Sequence, residues 1–575
     1  MLSCFFIAIS IKLGQQSSKI KQKASFALNF LAMIDFIKRK FTARNSVALA
    51  SVYIAFFSLL SRILGIFRDR LFAARFGAGN ELDAYFAAFR IPDFIFNLLI
   101  VGALSAAFIP VFTRYLVRHD EEEAFKISNS VTNLVIILWL VIALIIFIFA
   151  KPILGLLVPG FNAEKLGLTV SLTRIMLLSP LFFGISAVAG SMLNSFRRFF
   201  SFALAPVLYN VGIIIGALFL TPRFGVYGLA MGVVIGAFLH MLLQQINTYM
   251  LGYRYQRVLD LKHPGVRRII KLALPRVVGM AVDQINLFVQ TAIGSLLIIG
   301  TVAAFNFANN LASLPVGLFG VALATAIFPT LSEKAGLRRD SEFVFELSRV
   351  ARVILFLTIP TSAMIVLLRA QIVRLILGTG NFGWQDTRLT FGILGFLAIS
   401  IFAFALIPLL ARAFYAFEDT RTPVYIGIVS VILNIILALI FVGKINLGID
   451  LGPKGLALAY SLSTIVQMIL LVIFLQKRLK MIDFKAIFWS IFKVGIATLL
   501  MIPAVQWAKF AISPFVRTDT GVGILIQALV AILVGIISYS IVAFILRCDE
   551  FRLVVRYLPF VGKKLYSIDN VRRER

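Results

Sequence analysis

Apolar runs long enough to cross a bilayer recur along almost the whole chain, and that repetition leaves few folds open. About 20 consecutive apolar residues span roughly 30 Å of hydrocarbon as a helix. Backbone polar groups inside lipid must be bonded within the segment or closed into a barrel. A transmembrane barrel needs short strands of alternating polarity, and these runs are longer and apolar on all faces. Of the 575 residues, 60% are hydrophobic and 14% charged, more apolar side chain than a water-exposed surface accommodates. We read fourteen spans between residues 46 and 546, which makes this an all-α polytopic membrane protein.

The formal charge of +30 invites a nucleic-acid reading, but the positions of the charges argue against it. Lys and Arg gather in the tails and in alternate loops: Arg114 and Arg118, Arg197 and Arg198, Arg254 through Lys271, Lys334 to Arg339, Arg421, and Lys477 to Lys480. The other loops carry little beyond Arg75, Lys151, Lys165, Arg223, Arg388, Lys444, Lys454, Lys509 and Arg517. That bias places both termini in the cytoplasm, with affinity for anionic inner-leaflet lipid and none for nucleic acid. The acidic run Asp120 to Glu123 reads as a solvated cytoplasmic loop. Cys4 and Cys548 lie near opposite ends, so no disulfide framework is implied. His119, His240 and His263 lack metal-ligand spacing, and His240, inside an apolar run, reads as a hydrogen-bonded packing histidine.

Short sequences repeat at offsets of about 220 residues. The hexapeptide from Gly225 to Ala230 is echoed from Gly452 to Ala457. ALSAAFIP at 103–110 is echoed by ALATAIFP at 322–329, and Ala205-Pro206 by Thr422-Pro423. Six spans per copy is an even number, so the copies insert with the same topology, as parallel repeats of alternating-access transporters do. The expected organisation is a basic cytoplasmic segment at 1–45 (with Met33 as an alternative start), an N-lobe of helices 1–6 at 46–250 and a C-lobe of helices 7–12 at 251–477. Helices 13 and 14 at 478–547 and a basic amphipathic tail at 548–575 complete it. Prolines in or near spans, such as Pro110, Pro206, Pro315 and Pro408, are candidate kinks.

One stretch breaks the apolar pattern. Between Ser61 and Pro92 lie Arg62, Arg68, Asp69, Arg70, Arg75, Asp83 and Arg90. A charge at the bilayer centre costs at least about 2.5 kcal/mol, so it persists where it faces a wet cavity or a partner. Guanidinium forks match phosphate oxygens, which makes Arg62, Arg68 and Arg90 the candidate contacts to an anionic substrate. Asp69 and Asp83 are the candidate neutralisers of those arginines when the cavity is empty. In the second half Arg276, Asp283 and Arg412 are sparser. Asp283 with Asn434 is a weak cation-site candidate and reads first as packing. No phosphate loop, catalytic triad or paired carboxylates in a sizeable extramembrane domain appears, so transport draws on a gradient and not on a built-in ATPase.

These residues resemble a known family. SRILGIFRD, FGAG, DAYFAAFRIP and GALSAAFIP look like the opening two helices of the MurJ (MviN) lipid II flippases, members of the multidrug/oligosaccharidyl-lipid/polysaccharide exporter superfamily. LPVGLFGVALATAIFPTLS at 314–332 and AFYAFEDTRTPV at 413–424 resemble that family's eighth helix and a later loop. The resemblance implies fourteen helices, two six-helix lobes around a cationic cavity, and a groove on helices 13 and 14 for the lipid tail. It implies as cargo undecaprenyl-diphosphate-linked peptidoglycan precursor, carried by a monomer in the bacterial inner membrane for cell-wall synthesis, with no catalytic residues, cofactor or metal. By motif position Arg62, Arg68, Asp69, Asp83 and Arg90 match the family's functional charges. Departures are also visible: Phe96, Asn97, Val101 and Asn310 stand where the family commonly carries charge, and Asp93 replaces an uncharged polar residue. The alternatives are a flippase for another polyprenyl-linked glycan, a drug exporter of the superfamily, or a membrane glycosyltransferase. A net basic cavity argues against an exporter of organic cations, and short outer loops argue against the glycosyltransferase.

Overall fold

The computed structural model describes residues 47–97, 105–445, 448–479 and 484–556. Side chains are placed for these except at 47–51, 105–106, 274–283, 484–486 and 555–556. The segment at 1–45, with Met33, lies outside the described residues, as do Val101 and the tail beyond 556. Among the described residues every regular element is helical.

Helix α1 is Val47–Phe76, α2 Asn80–Ile95 and α3 Ser105–Val117. The long α4, Glu121–Leu157, is followed by α5 (Ala163–Met176) and α6 (Leu178–Ser195), then by α7 (Phe199–Ile215) and α8 (Tyr227–Tyr249). The second half begins with α9 (Pro264–Ser295), α10 (Thr301–Pro315), α11 (Ala322–Gly336) and α12 (Asp340–Leu377). It continues with α13 (Trp384–Ala398), α14 (Ile401–Ala416), α15 (Arg421–Phe441) and α16 (Pro453–Leu479). Helices α17 (Phe484–Ile512) and α18 (Gly521–Ile545) and a short amphipathic α19 (Asp549–Arg556) close the chain.

Ten described helices are long and apolar enough to cross a membrane, and eleven if α13 and α14, bent by 48°, form one broken span. That is fewer than the fourteen expected. The three remaining expected spans fall on α1, on α2 with α3, and on α9, each of which extends beyond the residues whose side chains are described.

The repeat is visible in local geometry. Gly225 and Gly452 both take left-handed backbone, with φ of 55° and 53°. Three residues later, Gly228 and Gly455 each lie against the backbone ending the preceding helix, where a Cβ would come within 2.5 Å and 2.3 Å of it. Helices α7 and α8 cross through Gly212 and Gly236 at a distance that excludes any Cβ, the small-residue packing that replaces hydrophobic drive in lipid. Helices α17 and α18 pack on each other and on α12. The acidic run is not a loop. Asp120 caps α4, accepting from the Glu123 N–H at 3.2 Å, and Glu121 to Glu123 form its first turn, where the helix dipole favours acid. Besides the bend between α13 and α14, two long spans are interrupted by π turns, at Gly216–Leu220 and Val316–Val321. Only the second directly follows a proline, Pro315.

Candidate functional site

Alternate loops define two sides. Residues 118–120, 196–198, 250–263, 337–339 and 417–420 share the basic side. Residues 77–79, 158–162, 296–300, 378–383 and 513–520 share the opposite one. The charged residues of α1 and α2 form a series running inward from the latter.

At its mouth the two halves interlock. The Asn381 N–H donates to the Ala74 carbonyl at 2.8 Å, and Asn381 Nδ2 to the Arg75 carbonyl at 2.6 Å. Gly300, with φ of 86°, lets the chain pass Ala78 where a Cβ would overlap the Ala78 carbonyl. One turn into α2, Asp83 is almost fully buried and accepts three hydrogen bonds: from Lys165 Nζ at 2.7 Å, and from the backbone N–H of Gly300 and of Ala303, each at 2.8 Å. Helix α10 has no capping side chain of its own. A carboxylate from the other half therefore satisfies its free N–H groups and meets the positive end of its dipole.

Deeper, Arg90 bridges the same seam. Its Nε donates to Thr291 Oγ1 of α9 at 2.8 Å and its Nη2 to Asn306 Oδ1 of α10 at 2.6 Å. Arg70 donates to the Leu375 carbonyl at 2.8 Å, in the last turn of α12, where a cation suits the dipole. Asp69, also buried, accepts on Oδ1 from Arg68 Nε and Nη2 at 3.0 and 2.8 Å. On Oδ2 it accepts from Asn310 Nδ2 at 2.8 Å. Asn210 of α7 takes a third donor of Arg68 at 3.4 Å and itself donates to Ser61.

Arg62 lies roughly 21 Å from the Phe76 end of α1 at 1.5 Å per residue. It is exposed, and its guanidinium crosses to the π turn of the second half, where a Cβ on Gly317 would fall 2.1 Å from one of its nitrogens. Among the described residues no acid or hydrogen-bond acceptor pairs with it. Seven residues separate it from Asp69, two helical turns on one face.

The six expected site residues thus come to one seam but in three roles. Asp83 and Arg90 tie the halves together, Arg68, Asp69 and Asn310 form a neutralised cluster, and Arg62 stands open. Asp83 pairs with Lys165, not with an arginine. Sequence reasoning filed Lys165 as a loop cation and missed Thr291 and Asn306. Asn306 and Asn310, four apart on an apolar helix, were the legible hint. Asn97 donates to Asp93 at 3.0 Å, so the position that lacks a family charge serves its own helix. Asp283 and Arg276 have side chains outside the described set. Asn434 is fully buried, donates to Asn286 at 2.6 Å and, among the described residues, leaves its Oδ1 without a partner. His240 is hydrogen-bonded to Ser186 at 2.7 Å. No group of His, Cys, Asp or Glu suited to a metal occurs among the described residues.

A helical membrane protein of two repeated halves, joined at one end through buried charges, has the architecture of an alternating-access transporter. Its fold is shared with an inward-facing multidrug resistance MATE family transporter of the MOP superfamily, with a TM-score of 0.62 over 75% of this chain and 98% of that one, at 18% identity. The chain belongs to the MurJ family: the family described as "Lipid II flippase MurJ" matches residues 72–531. It is 30% identical over 457 residues to the probable lipid II flippase MurJ of Buchnera aphidicola subsp. Schizaphis graminum, covering 78% of this chain and 87% of that one. It is also 30% identical over 433 residues to the lipid II flippase MurJ of Burkholderia cenocepacia, covering 73% and 82%. A solved structure titled "Lipid II flippase MurJ, inward closed conformation" matches with a TM-score of 0.72 and 30% identity, over 86% of this chain and 99% of that one.

Proposed function

We infer that this protein carries lipid II, the undecaprenyl-diphosphate-linked peptidoglycan precursor, from the inner to the outer leaflet of the bacterial cytoplasmic membrane by alternating access. It is a transporter and not an enzyme. The observation that carries the mechanistic reading is the contrast between Arg62, open and without a partner among the described residues, and Asp83, buried and threefold bonded at the far end of the same seam. A diphosphate entering from the basic side meets Arg62 first. Its charge then competes with Asp69 for Arg68, which loosens the Asp69–Asn310 bond across the seam. Arg90 and Asp83 hold the opposite gate until that happens. The basic loops and both termini are assigned to the cytoplasm, where they meet anionic inner-leaflet lipid, and the protein acts as a monomer.

The lobes run over 46–250 and 251–477, and helices at 478–547 take the lipid tail. Asn434, whose Oδ1 has no partner among the described residues, and Asp283 are the weaker candidates, for a coupling cation. The test is complementation of cells depleted of their own flippase, with direct measurement of precursor exposed on the outer face. Wild type restores exposure; growth without exposed precursor would overturn the reading.

A further inference from the structure

Two adjoining cavities open on the second half, away from the seam. One, of about 260 Å³, is lined by Arg369, Phe391, Gly392, Gly395 and Lys454 among others. The second, of about 300 Å³, shares Arg369 and Phe391 and adds Gln371, Gln506 and Lys509. Four helices contribute: α12, α13, α16 and α17. Among the described residues no Asp or Glu lines either cavity.

The three cations are under-satisfied. Arg369 spends one donor on the Val366 carbonyl of its own helix at 2.6 Å, and Lys509 one on the Leu367 carbonyl at 3.0 Å. Among the described residues Lys454 has no hydrogen-bond or ion-pair partner. Gln371 donates to Gln527 and, among the described residues, leaves its Oε1 buried without a partner. Three like charges converging near lipid without a counter-ion repel each other and resist desolvation, so the arrangement asks for an anion.

Room for it is made by glycine. A Cβ on Gly392 would fall 3.0 Å from Lys454 Cε, and one on Gly395 2.9 Å from Arg369 Cδ. The absence of side chains there lets both basic stems lie flat on α13. Depth fits a headgroup. Lys509 is three residues from the end of α17 and Lys454 in the first turn of α16, so both lie within roughly 5 Å of the helix ends. Trp507, 69% exposed beside Lys509, is the interfacial aromatic expected at that level.

We propose that this pocket binds the phosphate of an anionic phospholipid of the outer leaflet, with Arg369, Lys454 and Lys509 as its donors. Apart from these cations, the polar lining amounts to Gln371 and Gln506 amid aliphatic and aromatic side chains, so the site has donors for a phosphate and little with which to read a sugar. The proposal goes beyond the flippase reading and takes from it only which leaflet the pocket faces.

The test is native mass spectrometry of the purified full chain with added phosphatidylglycerol, alongside phosphatidylcholine and undecaprenyl phosphate. The proposal expects selective retention of phosphatidylglycerol, weakened at least about tenfold in the Lys454→Ala/Lys509→Ala double variant. Both lysines sit near helix ends, so this variant folds even if Arg369→Ala does not, and an unchanged melting temperature confirms it. Equal retention by wild type and the double variant would overturn the proposal, as would equal retention of phosphatidylcholine. Displacement of phosphatidylglycerol by undecaprenyl phosphate at equimolar amounts would overturn it too, by reassigning the pocket to the cargo. Precursor exposure by the double variant reads the flippase function separately, so the two failures are distinguishable.

Discussion

Lys165 Nζ lies 2.7 Å from Oδ2 of Asp83, and the same carboxylate caps α10 of the opposite half. One side chain therefore couples an ion pair within the first half to a helix cap in the second. Breaking a buried pair by removing one partner costs about 3–5 kcal/mol, because the remaining charge stays desolvated. Asp83→Ala is expected to destabilise the closed state by that order and to raise labelling of Ala78→Cys from the outer face. Lys165→Ala should do the same less strongly. The double variant should be less than additive, with a coupling of about 1–3 kcal/mol, as measured by melting in detergent.

Arg62 should behave in the opposite way. It is exposed and holds no partner among the described residues, so Arg62→Ala should change stability by no more than about 0.5 kcal/mol while abolishing complementation. Gly317→Ala places a methyl on the guanidinium position and should depress transport in the same direction by displacing Arg62. Loss of folding in Arg62→Ala would place this residue in the packed scaffold.

Asn310 gives a charge-specific test. Its Nδ2 donates to Asp69 Oδ2 at 2.8 Å. Asn310→Asp sets two carboxylates against each other and should lower the melting temperature. Asn310→Arg supplies a second guanidinium to Asp69, should leave folding intact and should strengthen the closed state. Transport by Asn310→Arg should slow, because the diphosphate must then compete with two cations for one acid.

A pH prediction comes from outside the spans. Burial alone would raise the pKa of Asp419, but hydrogen bonds from Thr422 and the nearby Arg478 outweigh it and hold the carboxyl below its usual range. A depressed folded value means that Asp419 stabilises the fold fully above its unfolded pKa of about 3.9, and that this contribution is lost as pH falls through the lower folded value. The melting gap between wild type and Asp419→Asn should therefore be constant from pH 7 to about 5 and shrink below about 4. A gap that widens on acidification would refute the assignment.

Much of this was legible in the chain. The apolar runs define a helical membrane protein, and the repeat shows in the matched glycines Gly225 and Gly452. The charges from Arg62 to Arg90 were readable as a set, because each is costly in lipid. Their division was not. Asp83 is sorted from Arg62 by Lys165 and by the amino end of α10, both far away in sequence, and no local pattern encodes such a meeting. Asn310 looked like a missing charge until Asp69 stood opposite it. The acidic run at Asp120 was misread because its negative charge suits a helix start as well as a solvated loop.

The central claim is that α1 and α2 close the outer gate over a cavity whose open cation is Arg62. The most direct measurement is exposure of lipid II on the outer face in depleted cells that carry an Ala74→Cys/Asn381→Cys pair, residues whose backbones hydrogen-bond across that gate. The account predicts that the oxidised pair blocks exposure, that reduction restores it, and that Arg62→Ala gives none in either state. Full exposure with the pair cross-linked, or from Arg62→Ala, would contradict it.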